Sequence, residues 1–150
     1  MNFLEIFSNR VLIAGAIAWS IAQAIKVPLN YLTSGQWNWA LLLRVGGMPS
    51  SHAALVSAIA HAIGLFMGFD TAIYALAVAI AVVVIYDATG IRRQAGKHAE
   101  IINAMVRDLT RGHPVQEEQL REVLGHTPME AFGGMLLGLI VAQVSWFFWR

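Results

Sequence analysis

Cysteine is missing from the 150-residue chain, which excludes a disulfide framework, a thiolate zinc site and a cysteine nucleophile together. Charge is scarce as well. Only 13% of the residues are Asp, Glu, Lys or Arg, where a soluble domain carries roughly 25%. Ten basic against nine acidic residues leave a formal charge of +1, so the chain has no polybasic footprint and no nucleic-acid partner is expected. A signal peptide's pattern is also lacking, because Glu5 and Asn9-Arg10 interrupt the chain before its first long apolar run. That first hydrophobic segment is expected to stay in the mature protein.

What the chain has in excess is hydrocarbon. Hydrophobic residues make up 57% of it, and the mean hydropathy is +0.60. The apolar residues come in blocks close to the roughly 20 needed to cross a bilayer. The expected fold class is therefore all-α, an integral membrane helical bundle of about four transmembrane helices with short interfacial and amphipathic helices. One domain over residues 1–150 is expected from the length. The spans fall at residues 11–32, 51–67, 71–86 and 129–149. Residues 35–44, with Trp37 and Trp39, read as interfacial, and Gly68-Phe69-Asp70 as a tight turn between antiparallel helices. Residues 94–124 form a polar helical insertion. Ala95, Ala99, Ile102, Val106 and Leu109 make an amphipathic stripe there, and Gly112-His113-Pro114 separates it from a charged helix over 116–122.

This order of spans brings the end of the first, the start of the second, the end of the third and the start of the fourth to one face. Lys26, Arg44, Arg92, Arg93, Lys97, Arg107, Arg111 and Arg121 fall on that face, and Arg10 and Arg150 on the other. The positive-inside rule makes the crowded face cytoplasmic, with a bacterial cytoplasmic (inner) membrane as the expected location. Small residues at Ala14, Ala18 and Ala22, Gly64 and Gly68, and Gly134 and Gly138 suit close helix packing, inside the bundle or across a homodimer.

Three motifs on the crowded face carry possible chemistry, and each has a plainer reading beside it. Gly46-Gly47-Met48-Pro49-Ser50-Ser51-His52 opens the second span: Ser50 or Ser51 can cap the helix, whose free N–H groups form an anion site beside His52. The plainer reading is a capped helix with an interfacial histidine. Thr127-Pro128-Met129-Glu130 is a capping box with proline at the first helical position. Glu130 is also four residues after His126, so it can hold that imidazole in one tautomer, and a positioned imidazole can attack phosphorus. Asp87 closes the third span, where an unpaired charge is costly, and Arg92 or Arg93 is its expected partner. The other arginine, with Lys97, can take a phosphate or simply anchor the membrane face. Lys26 can snorkel or serve the site. His61 reads as a hydrogen-bonded packing residue, His98 and His113 as water-facing, and no spacing matches a zinc pattern. Convergence gives the motifs weight, since two histidines at helix N-termini, an arginine pair and a lysine on one face all favour a phosphate-like anion.

Pro49-Ser50-Ser51-His52, the block from Tyr86 through Asp87-Ala88-Thr89-Gly90-Ile91-Arg92-Arg93-Gln94-Ala95-Gly96 to Lys97, and Gly125-His126-Thr127-Pro128-x-Glu130 resemble the divergent branch of the type 2 phosphatidic acid phosphatase family. That family is related to acid phosphatases and vanadium haloperoxidases. The resemblance covers residues 18–138. It implies a metal-independent lipid phosphate phosphatase that needs no cofactor. His126 would form a phosphohistidine, oriented by Glu130, and His52 would protonate the leaving lipid oxygen. Lys26, Arg92, Arg93, Lys97 and the amides around Ser50 and Ser51 would hold the phosphate, with Asp87 positioning an arginine. The chain departs from the parent pattern in several places: Lys26 and Arg44 lie far apart, Val45 stands where a proline follows the arginine, Ser51 replaces a glycine and Glu130 an aspartate. The alternative expectation is a phospholipid or prenyl-phosphate carrier, or a membrane scaffold, that keeps the crevice without catalysis.

Overall fold

A computed structural model describes the backbone of residues 3–43, 46–109 and 125–150; the side chains of Phe3, Arg92, Arg93, Lys97, Asp108 and Leu109 lie outside the description. The expected glycine-proline break at 112–114 and the helix over 116–122 also lie outside the described residues.

Among the described residues five α-helices follow one another: α1 (Arg10–Ser34), α2 (Ser51–Met67), α3 (Ala72–Thr89), α4 (Ile91–Leu109) and α5 (Pro128–Trp149). Short 3₁₀ turns at Phe3–Ser8 and Trp39–Leu42 complete the described elements, which include no strand. The all-α membrane bundle read from the sequence is thus the observed architecture. Four of these helices start on a side-chain cap that satisfies an orphan amide: Asn9 for α1, Ser50 for α2, Thr71 for α3 and Thr127 for α5. Gly35 ends α1 in the left-handed conformation at φ 69°, where a side chain would be strained.

Among the described residues three segments are long and apolar enough to cross a membrane: α1, the apolar stretch that begins with α3, and α5. The fourth expected span, α2, has 17 residues, a rise of about 26 Å, at the short end of what crosses a hydrocarbon core of about 30 Å. Its position compensates for its length. α2 is the hub, packed on α1, α3 and α5, while α1 also meets α5. The seam of α1, α2 and α5 is alanine: Ala14, Ala18 and Ala22 of α1, Ala54, Ala58 and Ala62 of α2, and Ala142 of α5 are completely buried. In lipid, apolar burial does not drive helices together, so close van der Waals contact must, and short side chains permit it.

Gly134 and Gly138 belong to this seam. A Cβ on Gly134 would stand 2.2 Å from the Ser50 carbonyl oxygen, and one on Gly138 would stand 2.4 Å from that of Ala54. Gly64 and Gly68 do not form such a seam. The ring of Phe69 lies over Gly64, and Gly68 ends α2 at φ 107°, so both shape the α2–α3 turn. The stripe expected on α4 is also shifted, because among its described residues Gly96, Ala99 and Asn103 are buried while Ile102 and Val106 are exposed.

Candidate active site

The start of α5 does two jobs with one carboxylate. Thr127 accepts from the Glu130 amide at 3.3 Å, and Glu130 Oε2 accepts from the Thr127 amide at 3.2 Å, which completes the capping box. The same Oε2 lies 3.0 Å from His126 Nδ1. The two readings of Glu130, cap and imidazole partner, are therefore both true. A carboxylate at Nδ1 fixes that nitrogen as the protonated one, which leaves the lone pair on Nε2. His126 is only 4% exposed, and its Nε2 is buried with no hydrogen-bond partner among the described residues. Buried polar atoms in folded proteins almost always have partners, so an orphan of this kind calls for an explanation.

Two backbone bonds fix this imidazole relative to the other helices. The His126 amide donates to the Ala88 carbonyl at 2.9 Å, one of the carbonyls that the end of α3 leaves without an intrahelical donor. Asp87, next to it in sequence, is half-buried. The Ser50 amide donates to the Glu130 carbonyl at 2.9 Å, which ties the start of α2 to the first turn of α5. Ser50 is fully buried and its Oγ caps α2 by accepting from the Ala53 amide at 3.3 Å. Ser51 is buried beside it, and its amide, first in the helix, has no acceptor inside α2.

Lys26 does not snorkel. It is 3% exposed and donates to Gln23 Oε1, and its charge interacts with that of Glu130. Gln23 in turn donates through Nε2 to the Leu42 carbonyl at 2.8 Å, which ties the 35–43 segment back onto α1. Sequence reasoning passes over Gln23, although a glutamine and a lysine three apart on an apolar helix share a face.

Lys26, Ser50, Ser51, His126 and Glu130 therefore meet at one end of the bundle. His52, in the first turn of α2, and Asp87, near the end of α3, stand at the same end; both are half-buried, and neither is without a partner. Arg92, Arg93 and Lys97 occupy the first turns of α4. Arg44 lies outside the described residues. His61 pairs through Nε2 with Gln143 Oε1 at 3.1 Å, linking α2 to α5 well away from this end.

A membrane helical bundle with a carboxylate-oriented histidine at one end is the class that the fold and site define. The family described as "Divergent PAP2 family" matches residues 7–141, and the chain belongs to it. It is 36% identical to the Bacillus subtilis (strain 168) protein named "Uncharacterized membrane protein YuiD", over 97% of this chain and 99% of that one. No solved structure matches the chain.

Proposed function

We propose that the protein is a metal-independent phosphatase of membrane lipid phosphates. The observation that carries this reading is the buried, unpartnered Nε2 of His126, with Nδ1 held by Glu130. In the proposed reaction the Nε2 lone pair attacks phosphorus, and the bond from phosphorus to the lipid oxygen breaks. His52 gives its proton to that oxygen. Glu130 stabilises the imidazole as it becomes positive. Neutral His52 then takes a proton from water, whose oxygen attacks the phosphohistidine and breaks the N–P bond to release phosphate. Lys26, the amides at the start of α2 and the basic residues Arg92, Arg93 and Lys97 stabilise charge on the transferring group, and this electrostatic stabilisation supplies most of the rate gain in phosphoryl transfer. Asp87 holds one of the arginines. The crowded basic face is cytoplasmic in this reading, following the positive-inside rule.

The hydrogen bond that Lys26 donates to Gln23 favours a second reading. With its lysine already occupied, the site could hold a lipid phosphate without turning it over, as a carrier or scaffold.

The deciding experiment measures phosphate release by detergent-purified protein, with EDTA present, from phosphatidic acid, phosphatidylglycerophosphate and a prenyl diphosphate. His126→Ala is expected to lower turnover at least about 10³-fold. Glu130→Gln keeps a side chain that serves the capping box but weakens the hold on the tautomer, and is expected to cost about 10²-fold or more in kcat. Folded wild-type protein that binds these lipids and releases no phosphate from any of them would leave the carrier reading in place.

A further inference from the structure

Between α2 and α3 lies an apolar groove of about 300 Å³, lined on one side by Val56, Ile59 and Ile63 and on the other by residues including Ile73, Ala77 and Ile80. Its surroundings differ at its two ends. On α2, residues 52, 56, 59 and 63 follow one another at helical spacing, so His52 heads the stripe that lines the groove. On α3, residues 73, 77, 80, 84 and 87 do the same, so Asp87 heads the opposing stripe. Both polar residues stand at the site end of the bundle, and the stripes below them are wholly apolar.

Position and volume suit one occupant. The lining residues of α2, from Val56 to Ile63, rise about 10 Å, and His52 stands one turn beyond them toward the site. The groove has room for a run of methylenes of a single chain. A polar mouth at the level of the site, leading within one to two helical turns into an apolar slot, matches a molecule with an anionic head and a hydrocarbon tail.

We infer that this groove seats one hydrocarbon chain of a lipid whose phosphate is bound at the His126 end. The inference takes its head-group end from the proposed function and adds the place of the tail. It makes Val56, Ile59, Ala77 and Ile80 determinants of which chain is accepted, with Ala77 as the position where added bulk closes the slot.

The test uses a phosphatidic acid carrying a diazirine at the middle of one acyl chain, with the full-length protein in phosphatidylcholine vesicles, photolysed and mapped by mass spectrometry. Label is expected to concentrate on residues 56–63 and 73–80, and to fall at least fivefold there in Ala77→Phe. A phosphatidylcholine with the same diazirine is expected to label the lipid-facing helices without that concentration. Even labelling along α3 and α5 by the phosphatidic acid, or equal groove labelling by both lipids, overturns the inference. So does capture of the Ile73→Cys variant as a disulfide-linked dimer with no groove label, which assigns the groove to a second copy. The wild-type comparison of the two lipids decides the matter even if Ala77→Phe does not fold. Labelling needs no turnover, so groove label without phosphate release removes the catalytic reading alone, and release without groove label removes this one alone.

Discussion

α2 and α3 are joined by a short turn and are both strongly apolar, yet they stand in opposite environments. α2 buries nine of its residues, most of them alanine, serine or glycine. α3 buries only Ala81 and Ala88 and turns Leu76, Val82, Val83 and Tyr86 outward. Hydropathy does not distinguish the two, and alanine is as frequent in α3 as in α2; what differs is that α2 sets small residues, Ala54, Ala58 and Ala62 among them, on its packed faces while α3 turns large ones outward. In a bilayer a large aliphatic side chain is as well solvated by lipid as by protein, so it brings no drive to pack, whereas a small one lets a neighbouring backbone approach. The helix with small residues on its packed faces became the hub, and the helix with large residues turned outward became a wall.

Substitution at Gly134 should break this comparison most severely. Gly134→Val places atoms against the Ser50 carbonyl, which is backbone and fixed by its neighbours. Overpacking of that kind is expected to destabilise by about 3 kcal/mol or more. Because Ser50 and Glu130 share a hydrogen bond there, the start of α2 should separate from His126 as well. Thermal unfolding in detergent measures the first effect, and phosphate release from phosphatidic acid the second. A Gly134→Val protein as stable as wild type would show that backbone contact between α2 and α5 is not what holds the hub.

A smaller effect is expected at the polar link between the same helices. Polar pairs between membrane helices contribute about 0.6 kcal/mol on average and up to about 1.7. A double-mutant cycle with His61→Leu and Gln143→Leu is expected to give a coupling in that range. A coupling much above about 2 kcal/mol would mean that hydrogen bonding, more than small-residue packing, holds α2 on α5.

Much of this is legible in the sequence, and the limits are physical. Helices capped by side chains, such as Ser50 at α2 and the Thr127–Glu130 box at α5, are readable because a cap is a local event within a few residues. The His126–Glu130 pair is readable for the same reason, being one helical turn. Neither the bond from the Ser50 amide to the Glu130 carbonyl nor the one from the His126 amide to the Ala88 carbonyl has a sequence signal, because a backbone group carries no residue identity. The Gly64 and Gly68 spacing misleads for a related reason: the pattern names two small residues but not what lies over them, here the Phe69 ring of the next turn. Lys26 can be placed at the crowded face from sequence, but its burial depends on Gln23 reaching the Leu42 carbonyl, a contact between separate elements.

The smallest expected effect sharpens the comparison most. Val83, in the middle of α3, is 67% exposed, so Val83→Ala removes two methyl groups from a surface that lipid or detergent fills in either case. No cavity forms, and the change in stability is expected to stay within about 0.5 kcal/mol. Buried aliphatic truncations cost more because the surrounding protein relaxes only in part. Thermal unfolding of Val83→Ala should therefore overlay that of the wild type at every protein concentration in detergent. A loss above about 1 kcal/mol that grows as the protein is diluted would mean that a second copy covers α3, since only a mass-action contact weakens with dilution. In that outcome the wall is an interface between subunits, and the large side chains of α3 belong to a seam of their own.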